Sequence, residues 1–517
     1  MEKILKKLKK LLRLIFGRTT LGTLFLLIQI LVLFAGFDWF REYLIYMYGG
    51  SAILSALILI YIISDEGNST IKLSWVVPIL VFPVFGTLFY LFLTLQPGTH
   101  RINRRIEEVG TKLRPYLLQD PEVLAHYESI SASGGNLVRY MNQYGRFPAY
   151  ENTGARYFPL GDDMFPVLLE ELKKAEHFIF MEYFIVEHGV MWDAILQVLE
   201  TKAAEGVEVR FMYDGMGNLF TLPHGYEKAM QEKCKIFAPV RPALSSYQNN
   251  RDHRKICVID GHTAFTGGVN LADEYINQRV RFGHWKDTAV LIKGKAVDSF
   301  TMMFLQLWDV TERDGEEYRR FLCPPEFHMP EGLDYGGFVM PYADSPLDGE
   351  NVGESVYLDI LGRSRRYVHI TTPYLILDDT TLAALKFAAK RGVEVIIIMP
   401  HIPDKLYAYL LARSYYAELL RAGVQIYEYT PGFIHAKMFT SDDEKAVVGT
   451  INLDFRSLYL HFECASYFFR NAVVMDVEED FQKTLAKSER ITLENCRKYP
   501  FIRRFAGKAL RILAPLM

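Results

Sequence analysis

With 517 residues, a formal net charge of −3 and hydrophobic residues at 50% of positions, the chain is long enough for two or three domains and is richer in apolar residues than a purely soluble protein. The near-balanced charge argues against a broad nucleic-acid-binding surface, which needs an excess of Lys and Arg. Five scattered cysteines, Cys234, Cys257, Cys323, Cys464 and Cys496, form no CxxC pair and no zinc spacing; they read as reduced thiols in a cytosol-facing body and not as a disulfide framework.

The chain opens with Lys3, Lys6, Lys7, Lys9, Lys10, Arg13 and Arg18 against the single acid Glu2. This predicts a basic amphipathic helix on an anionic membrane surface; no small-residue cleavage site follows, as a secretory leader would have. Three apolar stretches come next, Leu21 to Phe37, Leu44 to Ile63 and Leu73 to Leu95, of 17, 20 and 23 residues. Crossing a bilayer core takes roughly 20 apolar residues, so the last two are expected to span it. Arg101, Arg104, Arg105, Lys112 and Arg114 follow the third stretch, while the loop before it holds Asp65 and Glu66. Keeping both basic flanks in the cytoplasm requires an even number of crossings. The expected arrangement is two spans, near 44–63 and 73–95, with Leu21 to Phe37 dipping into the interface; three spans with one basic flank outside is the alternative. Residues 1–96 make up this membrane region, and 97–154 form a polar connector.

From about residue 155 an α/β pattern runs through the chain twice. The first half, 155–323, reads as a strand over Phe178 to Val186, a helix over about 190–205 and a strand in "GVEVRFMYD" from Gly206. The second, 342–496, reads as a strand over Val368 to Leu377, a helix over about 380–391 and a strand in "GVEVIIIMP" from Gly392. In each, Gly closes a helix ahead of a buried parallel strand. A Pro/Gly-rich bridge, 324–341, joins the halves, and further strands follow from Asp287 and from Cys464. Two halves related by a pseudo-two-fold axis are expected. The tail, 497–517, mixes Arg503, Arg504, Lys508 and Arg511 with Phe501, Phe505, Leu510, Ile512 and Leu513, and is expected to make a second interfacial contact.

Each half carries the pattern HxKxxxxD with the same tail. The first copy is His253, Lys255 and Asp260, then Gly267, Gly268 and Asn270; the second is His435, Lys437 and Asp442, then Gly449, Thr450 and Asn452. In both, Asp lies 7 and Asn 17 residues after His. One such pattern is weak; two with matched tails point to one active site built from two halves. Phosphodiester exchange needs a nucleophile that can carry the phosphoryl group and an acid for the departing alcohol, and a pair of imidazoles supplies both near neutral pH. The two Lys side chains and the amides of Asn270 and Asn452 are expected to bind the nonbridging oxygens. Orienting carboxylates are assigned to Asp287, 34 residues after His253, and Glu463, 28 residues after His435. Asp260 and Asp442, though part of the motif, are read as structural partners tying down a turn or a Lys. No metal or other cofactor is required by this scheme. Cys257, Cys464, His284 and His461 are read as buried or incidental residues.

The segments "RDHRKICVIDG…AFTGGVNLADEY…HWKDT" and "FIHAKMFTSDD…VVGTINLDFRSL…FE" resemble the phospholipase D superfamily and, with the apolar N-terminal region and basic tail, the bacterial cardiolipin synthases within it. The resemblance covers nearly the whole chain. It implies two phospholipase D-like α/β halves forming one catalytic body behind a transmembrane region, multi-pass in the bacterial plasma membrane with the body in the cytoplasm. It also implies transfer of a phosphatidyl group between two phosphatidylglycerol molecules through a phosphatidyl-histidine, with His253 as nucleophile and His435 as acid. The partners are then phosphatidylglycerol and anionic lipids, with no nucleic acid. A phospholipid hydrolase, a nuclease of the superfamily and a catalytically inactive membrane scaffold are the competing readings.

Overall fold

A computed structural model describes residues 44–94, 97–215, 250–312, 317–512 and 514–516, with 27–28 and isolated positions between 217 and 231. The basic opening, Cys234 and all of Leu21 to Phe37 but Leu27 and Ile28 lie outside the described residues. The chain divides into two compact units, Thr99–Arg511 and a smaller one that joins the residues before Thr99 to those from Ile512 onward.

The smaller unit is built on helices Leu44–Ser64, Ser69–Val81 and Pro83–Thr94. The stretch expected to cross the membrane as one helix over 73–95 is instead broken at Phe82 (φ −130°, ψ 74°). Pro83 has no N–H to continue the helix and disfavours a helical conformation at the residue before it. The two pieces, 13 and 12 residues long, fold against each other. A Cβ at Gly86 would come within 2.7 Å of the Pro78 carbonyl oxygen, so only glycine allows that approach. Each piece is roughly 18–20 Å long, short of a bilayer core of about 30 Å. Ile58, Ile62, Ile79 and Tyr90 form the unit's core, with the Ser55 and Thr87 hydroxyls bonded at 2.8 Å inside it. Among the described residues no helix is long and apolar enough to cross a membrane.

The larger unit carries the duplication. Its first half has strands β1 (Gly154–Phe158), β2 (Phe178–Tyr183), β3 (Glu208–Tyr213), β4 (Arg251–Asp252), β5 (Ile256–Ile259), β6 (Thr263–Gly267), β7 (His284–Lys286) and β8 (Ala289–Lys293). The second has β9 (Phe338–Asp344), β10 (Tyr367–Thr371), β11 (Glu394–Pro400), β12 (Gln425–Tyr429), β13 (Gly432–Ile434), β14 (Met438–Ser441), β15 (Lys445–Gly449), β16 (His461–Phe469) and β17 (Ser488–Ile491). The first sheet runs β1-β8-β6-β5-β2-β3, and the second repeats that order as β9-β16-β15-β14-β10-β11 before β12 and β17 extend it. In both halves the pair on either side of the helix is parallel, β2 with β3 and β10 with β11, and the strands that carry the motifs are antiparallel. Gly206 (φ 95°) and Gly392 (φ 94°) take the left-handed conformation that closes the preceding helix, as "GVEV" predicts.

Asp260 (φ 51°) and Asp442 (φ 58°) sit in turns after β5 and β14. The Asp260 carboxylate accepts the backbone N–H groups of Glu176, His177 and Phe178, all at 2.8 Å; Asp442 accepts those of Arg365, Arg366 and Tyr367. Each acid thus ties the start of the first parallel strand of its half to the motif turn, which fits a structural role. Replacing Asp260 with Ala leaves three donors, one fully buried, without their acceptor and is expected to cost about 2–4 kcal/mol of stability, with a smaller cost at Asp442, where two of the three donors are exposed. Thermal unfolding should show the loss, while turnover per folded molecule changes less than tenfold; an unchanged melting temperature with abolished turnover would place the acid in the chemistry instead.

Candidate active site

Two short parallel ladders stitch the halves together. β4 pairs with the start of β16, setting His461 opposite Arg251 and Phe462 opposite Asp252. β7 pairs with β13, setting Trp285 opposite Phe433 and Lys286 opposite Ile434. Each ladder carries the chain into a motif histidine beside a carboxylate of the other half. The His253 N–H donates to the Phe462 carbonyl (2.9 Å) and the His435 N–H to the Lys286 carbonyl (2.7 Å), one residue before Glu463 and Asp287.

The side chains cross in the same way. His253 Nδ1 lies 2.9 Å from both Glu463 oxygens, and His435 Nδ1 lies 2.6 Å from Asp287 Oδ2. Both expected carboxylates therefore meet a motif histidine, but each serves the histidine of the opposite half. Pairing them by chain order fails because β7 and the start of β16 project across the pseudo-two-fold axis. Glu463 is further held by Ser457 Oγ (2.7 Å) and by the Thr450 hydroxyl. At the position equivalent to Thr450 a Cβ on Gly268 would come within 2.0 Å of Asp287 Oδ1, so the Gly/Thr difference between the motif tails follows from their different carboxylates.

Lys255 and Lys437 are buried, and each Nζ donates to the backbone carbonyl of its motif histidine, Lys255 at 2.6 Å. The asparagines, expected to meet the nonbridging oxygens, also make bonds to the scaffold. The Asn270 amide spans Ile185 N–H (3.0 Å) and Tyr275 OH (2.8 Å), and the Asn452 amide donates to Ser457 Oγ (3.0 Å). Both amides hold the scaffold around the histidines through one N–H each, to Tyr275 and to Ser457, and each Nδ2 carries a second N–H.

Burial pushes His253 well below the usual imidazole range, with Lys255, Lys437 and His435 adding to the effect, and brings His435 down to about 4. It likewise lowers Lys255 to about 8 and Lys437 to about 7, against the attraction of Glu463 and Asp287. Burial also opposes ionisation of Asp287, but His435 and Lys437 outweigh it and hold that acid below its ordinary value. Two imidazoles and two amines thus compete for positive charge in a dry space, and an anion set among them relieves the competition by stabilising every protonated form. With Nδ1 held by a carboxylate, each imidazole keeps Nε2 for a reacting atom.

His461, read from sequence as incidental, joins the site: its ring lies 5.5 Å from that of His253. Ligand atoms of His253, His461 and Glu463 lie within 4.8 Å of one another, a spacing that sequence order conceals. The positive field of Lys255 and Lys437 beside them suits an anion better than a dication.

Substituting Glu463→Gln or Asp287→Asn, which keeps shape but removes the carboxylate charge, is expected to lower turnover by about 10²- to 10⁴-fold. Wild-type kinetics in either variant would refute the orienting role. Because Lys437 and Lys255 lose their protons as pH rises past about 7 and 8, affinity for sulfate, whose own charge is constant there, should fall at least tenfold between pH 6 and 9. Calorimetric titration at the two pH values measures it; equal affinities would mean that these lysines do not bind the anion.

Residues 168–308 and 357–485 match a family model described as cardiolipin synthase, PLD-like domain, and residues 53–93 match one described as phospholipase D-nuclease N-terminal. A cardiolipin synthase of Alkalihalophilus pseudofirmus is 34% identical over 466 residues, 89% of this chain and 91% of that one. One of Geobacillus kaustophilus is 33% identical over 469 residues, 90% of this chain and 92% of that one. An uncharacterized protein of Streptococcus mutans is 48% identical over 461 residues, 89% of this chain and 99% of its own length. Among solved structures, a phosphatidylserine synthase of Haemophilus influenzae superposes with a TM-score of 0.58 at 14% identity, covering 74% of this chain and 100% of that one, a likeness of fold.

Proposed function

The chain belongs to the phospholipase D-like cardiolipin synthase family, and we propose that it transfers a phosphatidyl group from one phosphatidylglycerol to a second, giving cardiolipin and glycerol through a phosphatidyl-histidine. The observation that carries this reading is the pair of motif histidines, each held by the other half's carboxylate, with two buried lysines beside them.

With Glu463 holding its Nδ1 proton, neutral His253 attacks phosphorus through Nε2. The P–O bond to the glycerol headgroup breaks, and His435, protonated once the phosphate anion is in place, gives its proton to the departing oxygen. The primary hydroxyl of a second phosphatidylglycerol then attacks phosphorus while His435 takes its proton, and the P–N bond breaks to regenerate His253. Lys255 and Lys437 offset charge on the nonbridging oxygens in both steps. One phosphodiester replaces another, so no nucleotide is consumed.

We place the enzyme in the bacterial plasma membrane, embedded through its N-terminal region, with the catalytic unit in the cytoplasm. Three observations support this. The match to the N-terminal family covers residues 53–93. The apolar unit exposes Ile53, Leu57, Ile60, Leu80 and Phe82 around its small core. On helix Phe501–Leu510, Gly507 packs against Leu410, while Phe501, Ile502 and Phe505 on the opposite face are 76%, 79% and 64% exposed, with Arg504 and Lys508 flanking them. An outward apolar face edged by cations suits an anionic bilayer surface.

Incubating the purified full chain with phosphatidylglycerol alone should yield cardiolipin and glycerol in equal amounts by mass spectrometry; phosphatidic acid in their place would make it a hydrolase. His253→Ala and His435→Ala should each abolish turnover. A trapped lipid-phosphate adduct is expected on His253; an adduct on His435 would reverse the roles.

A further inference from the structure

The two segments that deliver the carboxylates occupy matching register positions but differ in one side chain. His461 stands two residues before Glu463 and opposite Arg251, itself two before His253. Trp285 stands two residues before Asp287 and opposite Phe433, itself two before His435. The ring geometry follows the register: His461 lies 5.5 Å from the His253 ring and Trp285 lies 5.6 Å from the His435 ring. One pseudo-symmetric slot therefore holds an indole at the His435 end and an imidazole at the His253 end. Trp285, Phe433 and Tyr275 make the first end aromatic, with ring centroids 5.6–5.9 Å from His435.

His461 is 8% exposed, and neither of its ring nitrogens has a hydrogen-bond partner. Glu463 Oε1, 3.8 Å from Nδ1, already receives His253 and Ser457, while Thr450 occupies the other carboxylate oxygen. Leaving a buried polar group unpaired costs about 1–3 kcal/mol, so two unpaired nitrogens in a reaction site call for a partner that arrives with the substrate. Burial lowers the ring's pKa to about 4, which leaves it neutral at physiological pH with one donor and one acceptor. A phosphate oxygen can only accept. A hydroxyl matches both nitrogens, and the headgroup of phosphatidylglycerol ends in two.

We propose that His461 is a specificity-determining residue that hydrogen-bonds a headgroup hydroxyl of bound phosphatidylglycerol at the His253 end of the site, selecting this alcohol over headgroups without a free hydroxyl. The inference rests on the phosphatidyl-transfer reading above and adds to it the side chain that recognises the headgroup. It also makes the two ends of a duplicated site chemically distinct.

The test uses the full chain in detergent micelles and follows headgroup release from phosphatidylglycerol and from phosphatidylethanol, whose headgroup has no free hydroxyl. The wild type should favour phosphatidylglycerol. His461→Leu should lose at least tenfold in kcat/KM on phosphatidylglycerol, mostly through KM, and less than threefold on phosphatidylethanol. His461→Asn, which keeps a donor and an acceptor, should recover most of the preference. Equal losses on both lipids would assign His461 to the fold or to the chemical step and overturn the proposal, as would an unchanged preference in His461→Leu. A wild type that releases neither alcohol would overturn the phosphatidyl-transfer reading itself, whereas one that cleaves both lipids with a selectivity indifferent to position 461 would leave that reading standing and remove only this inference.

Discussion

Two crossed hydrogen bonds, His253 to Glu463 and His435 to Asp287, make each half of the catalytic unit depend on the other. Either half alone would present an imidazole without its carboxylate and a carboxylate without its imidazole, buried groups that are costly when unpaired. The β4–β16 and β7–β13 ladders carry the same constraint in the backbone, since the N–H of each motif histidine is satisfied only across the junction. Gly268, Thr450, Ser457 and the two asparagines are arranged around these pairs and make sense only once the crossing is known.

Electrostatics then decides what the site accepts. Four basic groups share a dry space with two carboxylates, so the free site holds its imidazoles neutral and its lysines close to losing their protons. On the mechanism proposed above, a phosphodiester brings the missing negative charge and turns this collection of bases into a proton donor, a nucleophile and two cations. The same low dielectric that makes the unliganded arrangement unfavourable strengthens each contact with the phosphate. In that mechanism, substrate binding and readiness for proton transfer are one event.

The smaller unit obeys a different constraint. Among the described residues its core is only a few side chains, and Ile53, Leu57, Ile60, Leu80 and Phe82 are exposed around it. Pro83 turns one long apolar stretch into two short packed helices. The last residues, Ala514–Leu516, rejoin this unit against helix Ser69–Val81.

Much of the architecture was legible from local signals. The repeated "GVEV" turns, the alternation of strand and helix and the twin HxKxxxxD segments are set by backbone preference and burial within about 20 residues, and the two sheets repeat the strand order they imply. The motif histidines and lysines, and the structural bent of Asp260 and Asp442, came from the same periodicity. Which carboxylate serves which histidine did not, because a contact over 210 residues for His253 and 148 for His435 depends on how two surfaces meet and leaves no spacing in the chain. The break at Phe82 was hidden by hydropathy, which does not register the proline that causes it. His461 was overlooked because a lone histidine without a repeat counterpart looks incidental, and only the register of β4 against β16 sets it beside His253. The sequence by itself determined the elements and the chemistry they carry, since both depend on near neighbours; the tertiary structure alone decided the pairing, burial and asymmetry of the site, since these depend on groups brought together from opposite halves of the chain.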